Sequence, residues 1–195
     1  MFTRKFDRRF RLLVAVFLLS SGFGAAFGLY ALWPANREIG YEPEQPIHYS
    51  HRLHAGTLRI DCRYCHWTVE TSAHAAVPSL STCMRCHAQV QPKDSRGNVK
   101  REVAKLLAAW EKKEPVFWEK VHDLADFCHF DHRRHRAAGL ECLRCHGPVE
   151  TMERVRRVSP LVMGWCLDCH RDPPPEAKLS EGRTQATIHC TTCHR

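Results

Sequence analysis

Cys62-Arg63-Tyr64-Cys65-His66 is the first of five Cys-x-x-Cys-His stretches in this chain of 195 residues. The pattern returns at 83–87, 142–146, 166–170 and 190–194, and we number the motifs 1 to 5 in chain order. Two thiols in this spacing, followed by a histidine, are typical of covalent attachment to haem c, with the imidazole facing the iron. The sequence therefore predicts five covalently bound haem c groups. The attachment residues are Cys62, Cys65, Cys83, Cys86, Cys142, Cys145, Cys166, Cys169, Cys190 and Cys193, and the proximal iron ligands are His66, His87, His146, His170 and His194.

Zinc is the competing interpretation, because the intervals between motifs 1 and 2 and between motifs 3 and 4 suit a four-cysteine zinc ribbon. Such a ribbon does not need a histidine after each cysteine pair. Here a histidine follows all five pairs, although only 14 of the 195 residues are histidines. Five pairs would also leave one half-site of zinc unmatched. The eleventh cysteine, Cys128, cannot form a disulfide framework alone and is expected to be a small packing residue.

A basic flank and an uncharged run occupy the N-terminus. The run from residue 12 to residue 33 has 22 residues, enough to cross a hydrocarbon core of about 30 Å as a helix. Basic residues before it, with Tyr30 and Trp33 at its far end, indicate a cytoplasmic N-terminus. We therefore predict a cytoplasmic flank at 1–11, a single transmembrane anchor at 12–33 in the bacterial cytoplasmic membrane, and a periplasmic head. A signal peptide cleaved near Gly24 is the alternative.

Charge and length restrict the fold and the partners. The formal net charge of +8 includes the cytoplasmic flank, and five haems would add roughly ten propionate carboxylates, so nucleic acid is not an expected partner. Residues 41–195 provide 155 residues for five motifs, or 31 for each, which is too few for a conventional apolar core around every macrocycle. The prediction is a mostly irregular fold with short α-helices, organised around the haems.

An internal repeat precedes motifs 1 and 3. The pair His51-x-x-His54 recurs as His132-x-x-His135, and the residues before each pair also match. Such a spacing puts two imidazoles about one helical turn apart, so that each can point toward a different haem. We predict these four histidines as distal ligands. For the fifth distal ligand, His74, His122 and the thioether of Met163 stay open.

The repeat suggests an organisation along the chain. After the anchor we predict a linker at 34–46, a first di-haem module at 47–92, a connecting segment at 93–125, a second di-haem module at 126–172, and a proline-rich linker with motif 5 at 173–195. In the connecting segment, apolar residues from Val103 to Trp110 fall at helical spacing. They predict an amphipathic helix, with Asn98 as its possible cap and Pro115 after its end.

The segments around and between the motifs carry a more specific signal. They are Pro46–His54, Ala75–Ser79, Lys120–Leu124, Gly147–Glu150 and Met163–His170. Together with the membrane anchor they resemble the pentahaem cytochrome c component of alternative complex III, over nearly the whole chain. The resemblance implies membership of a quinol:acceptor oxidoreductase complex. Its implied partners are a quinol-oxidising polytopic membrane subunit, an iron-sulfur subunit similar to molybdopterin enzymes, and a monohaem cytochrome c or terminal oxidase.

The ligand supply favours electron transfer over catalysis. With two imidazoles at every iron, no coordination position is left for a substrate. Two other functions are alternatives. A stand-alone multihaem quinol dehydrogenase would need its first haem at the membrane surface, whereas Cys62 lies 29 residues beyond Trp33. A catalytic multihaem reductase would need an open iron, which the abundance of histidines argues against.

Overall fold

The computed structural model describes residues 4–32, 38–182 and 184–194. The chain divides into two compact units, Met1–Gly40 and Tyr41–Arg195. The first unit contains one long helix, and the second, which we call the head, contains all five motifs.

The first unit is built on α1, Arg4–Leu32. From Phe6 to Leu32 this helix is apolar and long enough, at 27 residues, to cross a membrane, although a signal sequence would share these properties. It contains residues 12–32 of the predicted span and begins eight residues before it. Within the charged flank, Asp7 and Arg11 lie one turn apart and form an ion pair at 3.0 Å. Trp33 lies outside the described residues.

The head consists of short helical turns joined by irregular segments. They are a π-helical turn at Arg52–Thr57, α2 at Cys62–Cys65, a 3-10 turn at Trp67–Glu70, α3 at Leu80–His87, α4 at Arg101–Lys112, α5 at His132–Ala137, α6 at Leu143–His146, a 3-10 turn at Val149–Thr151, α7 at Met163–Arg171 and α8 at Cys190–Cys193. In the described part of the head no β-strand forms, and pairing is limited to isolated bridges at Lys93–Val99 and Cys128–His194. The predicted irregular fold with short helices is confirmed.

Aspartate side chains cap the first residues of two of these helices. The carboxylate of Asp61 accepts a hydrogen bond from the Arg63 amide at 2.8 Å and caps α2, the helix of motif 1. Asp131 caps α5 in the same way through the Arg134 amide. Because a helical turn brings residues three apart to one side, these caps orient the cysteines of motif 1 and the histidines of the second HxxH pair.

The connecting segment contains the predicted amphipathic helix as α4, which packs on α3, the helix of motif 2. Leu106 is the buried residue of α4. The predicted cap was wrong, because α4 begins after Lys100 and no side chain caps it. Asn98 instead lies in the preceding turn, where its amide donates to the Asp94 carboxylate at 3.0 Å. The helix ends at Lys113, which has a left-handed conformation with a φ of 57°.

The two halves of the repeat interlock within the head. The π-helical turn, which carries the second histidine of the first HxxH pair, packs on Val149–Thr151, the 3-10 turn behind motif 3. Reciprocally, α5 packs on Trp67–Glu70, the 3-10 turn behind motif 1. Gly56 makes the first contact close, because a Cβ atom there would collide with the Glu150 carbonyl oxygen. The two predicted di-haem segments thus contact each other, and their boundaries stay a prediction.

The head buries very little of itself. Among its described residues, Leu106 and Met152 are the only buried apolar side chains, and Arg157 and Ser159 are the only buried polar ones. Large apolar side chains beside the motifs are open, including Trp67 at 63% exposure. A chain of this length that folds by itself normally buries most of its apolar surface. The spaces between the helical turns are therefore suited to large apolar groups that complete the core.

Candidate haem-binding sites

An aromatic ring contacts both imidazoles of each HxxH pair, and the geometry of these contacts is the same in both halves of the head. Tyr49 contacts the first histidine of its pair edge-on, with ring centroids 4.8 Å apart, and stacks on the second at 4.3 Å. Phe130 repeats both contacts at 4.8 Å and 4.3 Å. The interplanar angles agree as well, at 86° and 88° for the first contact and at 24° and 28° for the second. The sequence repeat is therefore a repeat of imidazole placement.

Backbone carbonyl groups fix the orientation of seven imidazoles in the described part of the head. A carbonyl oxygen can only accept, so Nδ1 carries the proton and Nε2 presents its lone pair. Metal-ligating histidines are typically held in this way. At distances of 2.6 to 3.2 Å, His54 donates to Ser50, His66 to Ala76, His87 to Val90, His132 to Ala73, His135 to Asp131, His170 to Thr187 and His194 to Phe127.

The rings of three pairs of histidines lie at the separation that binding to one iron requires. A metal–nitrogen distance of about 2 Å on each side, plus about 1.2 Å from nitrogen to ring centre, puts the two ring centres about 6.4 Å apart. In each pair, one histidine ends a CxxCH motif and the other belongs to an HxxH pair. The observed centroid separations are 6.2 Å for His54 and His87, 6.3 Å for His132 and His146, and 6.0 Å for His135 and His170. The described residues thus fit bis-imidazole haem at motifs 2, 3 and 4.

Motif 1 is matched by the remaining HxxH histidine, His51. Burial, and then the charges of His66 and His54, lower the pKa of His51 to about 4. Its Nδ1 is buried without a hydrogen-bond partner. In the repeat, His51 corresponds to His132, which faces motif 3. His51 as the distal ligand at motif 1 stays a prediction, which this correspondence supports.

Burial favours the neutral form of two further ligand candidates, His135 and His146. Burial, and then the charges of His122, His132 and His66, lower the pKa of His146 to about 4. Burial is also the main cause that lowers the pKa of His135. A neutral imidazole can donate its lone pair to a metal, whereas an imidazolium cannot. His51, His135 and His146 are thus in the neutral form that can bind a metal at neutral pH.

The three candidates for the fifth distal ligand lie in different surroundings. His122 lies beside motif 3, with its ring 4.4 Å from that of His146 and its buried Nε2 without a hydrogen-bond partner. His74 is exposed, and its carbonyl oxygen accepts from the Thr68 hydroxyl at 2.9 Å. Met163 is 60% exposed at the start of α7. The fifth distal ligand therefore stays a prediction.

Residues around Cys128 contact motif 5, which sequence reasoning missed. The His129 amide donates to the Cys193 carbonyl oxygen at 2.7 Å, and Cys128 forms a β-bridge with His194. Burial, and then the neighbouring Cys193, raise the pKa of the Cys128 thiol. Cys128 was expected to be a packing residue, and no local pattern connects its position with the last motif.

Comparison with known proteins gives one informative similarity, and no family model matches the chain. Over 125 residues the chain is 31% identical to the menaquinone reductase, multiheme cytochrome c subunit of Nitratidesulfovibrio vulgaris (strain Hildenborough). The matched region covers 63% of this chain and 56% of the relative, so the chain spans little more than half the length of that protein. The similarity supports covalently bound haem c.

Proposed function

We propose that this chain is a membrane-anchored pentahaem cytochrome c that relays electrons for a membrane-bound quinol oxidoreductase and has no substrate site of its own. The observation that carries the proposal is the placement of three CxxCH histidines opposite HxxH histidines at 6.0 to 6.3 Å. The similarity to a multihaem cytochrome c subunit of a menaquinone reductase supports the same function.

The residues of the head would act by holding and orienting the cofactor. When bound, haem iron supplies a one-electron redox couple. The cysteine pairs would attach each porphyrin, and the proximal and distal imidazoles would bind the iron. The carbonyl groups that accept from Nδ1 would set the ring orientation and raise the basicity of each ligand. Where an imidazole binds the iron from each side, a substrate would have no access to the metal, so those haems would serve electron transfer only.

We propose alternative complex III as the assembly, on the resemblance of the segments between motifs. The chain would then receive electrons from a quinol-oxidising polytopic protein and its iron-sulfur partner at the bacterial cytoplasmic membrane. It would pass them to a periplasmic monohaem cytochrome c or a terminal oxidase. The name of the relative supports a second candidate, in which the same relay delivers electrons to a menaquinone-reducing complex.

Purification of the native complex through this chain tests the proposal. We expect a pyridine haemochrome assay to give five haems per chain, and mass spectrometry to identify a polytopic membrane protein together with an iron-sulfur protein. Reduction of the haems by quinol favours the first assembly, whereas oxidation of pre-reduced haems by menaquinone favours the second. A chain purified without covalent haem would contradict the function itself.

Replacement of a distal ligand should shift one redox transition. In the variant His135→Met, a thioether replaces the imidazole opposite His170, and methionine ligation raises the potential of the affected haem. We expect one of five transitions to rise by on the order of 100 mV while covalent attachment is retained. Spectroelectrochemical titration measures the shift. His129→Met, at an exposed residue whose backbone amide makes the contact with motif 5, is the control. Identical titrations of wild type and His135→Met would argue against His135 as a ligand.

A further inference from the structure

We infer that the five motifs relay electrons in the order 2, 1, 3, 4, 5, which differs from their order in the chain. The inference rests on the proposed function, since it concerns the path between haems attached at these motifs. A relay in chain order would carry electrons from motif 2 directly to motif 3. Which motifs are neighbours in the folded head decides between the two paths.

Each HxxH pair connects the two motifs of its own half. His54 faces motif 2 at 6.2 Å, and His51, three residues earlier, is the predicted distal ligand at motif 1. In the second half, His132 faces motif 3 at 6.3 Å, and His135 faces motif 4 at 6.0 Å. Ligands one helical turn apart can serve only adjacent metal centres. Motifs 1 and 2 are therefore neighbours, and so are motifs 3 and 4.

The two halves of the head meet at motifs 1 and 3. The reciprocal contacts described above involve the 3-10 turns that directly follow these two motifs, Trp67–Glu70 and Val149–Thr151. The backbone amide and Nδ1 of His132, the ligand candidate for motif 3, both donate to the Ala73 carbonyl oxygen in the segment after motif 1, at 3.1 Å and 3.0 Å. The Arg52 amide donates to the Met152 carbonyl oxygen at 2.9 Å from the other side. These packing contacts and hydrogen bonds between the two halves link motif 1 to motif 3.

Motif 5 joins the relay through motif 4. The imidazole of His170 donates to the Thr187 carbonyl oxygen at 2.6 Å, and the Ala186 amide donates to the His170 carbonyl oxygen at 2.9 Å. The Thr187 hydroxyl is hydrogen-bonded to that of Thr192, inside motif 5, at 3.1 Å. Motif 2, whose helix α3 contacts α4, is linked to the other motifs through motif 1. In the inferred order, motifs 2 and 5 are therefore the two ends of the relay.

Two matched variants of the full-length, haem-loaded protein test the order. His51→Met and His54→Met lie three residues apart, and each raises the potential of a different haem, at motif 1 or at motif 2. At a potential between that of the altered haem and those of the others, only the altered haem is reduced. Its low-spin ferrous iron is then diamagnetic. The reporter is the electron paramagnetic resonance signal of motif 3, identified as the ferric signal altered in His132→Met.

A neighbouring paramagnetic haem speeds the relaxation of this reporter signal. We expect its half-saturation power to fall roughly twofold in His51→Met, because methionine ligation lets the adjacent haem be reduced first, and to stay unchanged in His54→Met. The reverse result would establish the chain order and overturn the inference. No change in either variant would overturn the contact between motifs 1 and 3.

Haem counting separates failure of the order from failure of the function. Fewer than five haems in the wild type would refute the proposed function, whereas five haems with reversed relaxation would refute only the order. If either methionine variant does not mature, paired serine replacements at Cys62 and Cys65 or at Cys83 and Cys86 remove motif 1 or motif 2 as haem sites. The same relaxation measurement then distinguishes the inferred order from the chain order.

Discussion

Without covalently attached haem, the head from residue 41 to residue 195 is expected to remain largely unfolded. Its described part buries only two apolar side chains, Leu106 and Met152, so little apolar surface is removed from water by the polypeptide alone. Small metal-dependent domains behave in the same way, because binding of the cofactor supplies their folding free energy. Far-UV circular dichroism and amide hydrogen exchange, on protein made with and without the haem-attachment machinery, measure the difference.

A variant that lacks only the terminal haem is the matched control. Cys190→Ser combined with Cys193→Ser leaves motifs 1 to 4 and the interlocked repeat intact, so we expect most of the helical signal and the slow exchange to persist. Cooperative thermal unfolding of the haem-free wild type would contradict the expectation, since it would show that the chain has a sufficient core of its own.

Gly56→Ala is expected to destabilise the haem-loaded head by about 2 kcal/mol or more. The new methyl group would collide with the backbone carbonyl oxygen of Glu150, which cannot move aside as the end of a flexible side chain could. The π-helical turn would then have to separate from the 3-10 turn behind motif 3. Denaturant unfolding followed at the haem absorbance measures the loss.

Gly22→Ala provides the control for this substitution. Gly22 lies in α1, where an added Cβ atom meets nothing within 4 Å, so the same chemical change should leave the unfolding midpoint of the head unaltered. Equal midpoints for Gly56→Ala and the wild type would show that the two halves tolerate a wider separation than the structure has.

Much of the candidate site follows from short-range sequence patterns. The CxxCH motifs and the HxxH pairs have spacings that a helical turn converts directly into geometry, so ligand candidates such as His54 and His135 were predicted from the residues alone. The matching residues Tyr49 and Phe130 also belong to the repeat found in the sequence. The structure adds their function, which is to hold two imidazoles at fixed distances from one ring.

Long-range contacts could not be predicted in this way. The interlocking of the halves depends on how Gly56 approaches Glu150, and a glycine in a short helical turn does not identify its neighbour. The segment around Cys128 contacts motif 5 through backbone hydrogen bonds. Such bonds do not depend on the type of side chain, so the sequence does not reveal them. His122 was predicted as a ligand candidate, but its position beside His146 results from tertiary packing.

The reciprocal exchange of contacts between the halves has a consequence for a shorter chain. Consider a polypeptide with one HxxH pair, its two motifs and the following 3-10 turn. It would expose two surfaces, namely the helical turn of its HxxH pair and the 3-10 turn on which the helical turn of the other half packs in the present chain. The same polypeptide could not cover either surface. Two identical copies could, because each would cover the exposed surfaces of the other through an isologous interface with twofold symmetry. A half-length version of the head should therefore associate as a homodimer, and the present chain has the form of such a dimer fused into one polypeptide.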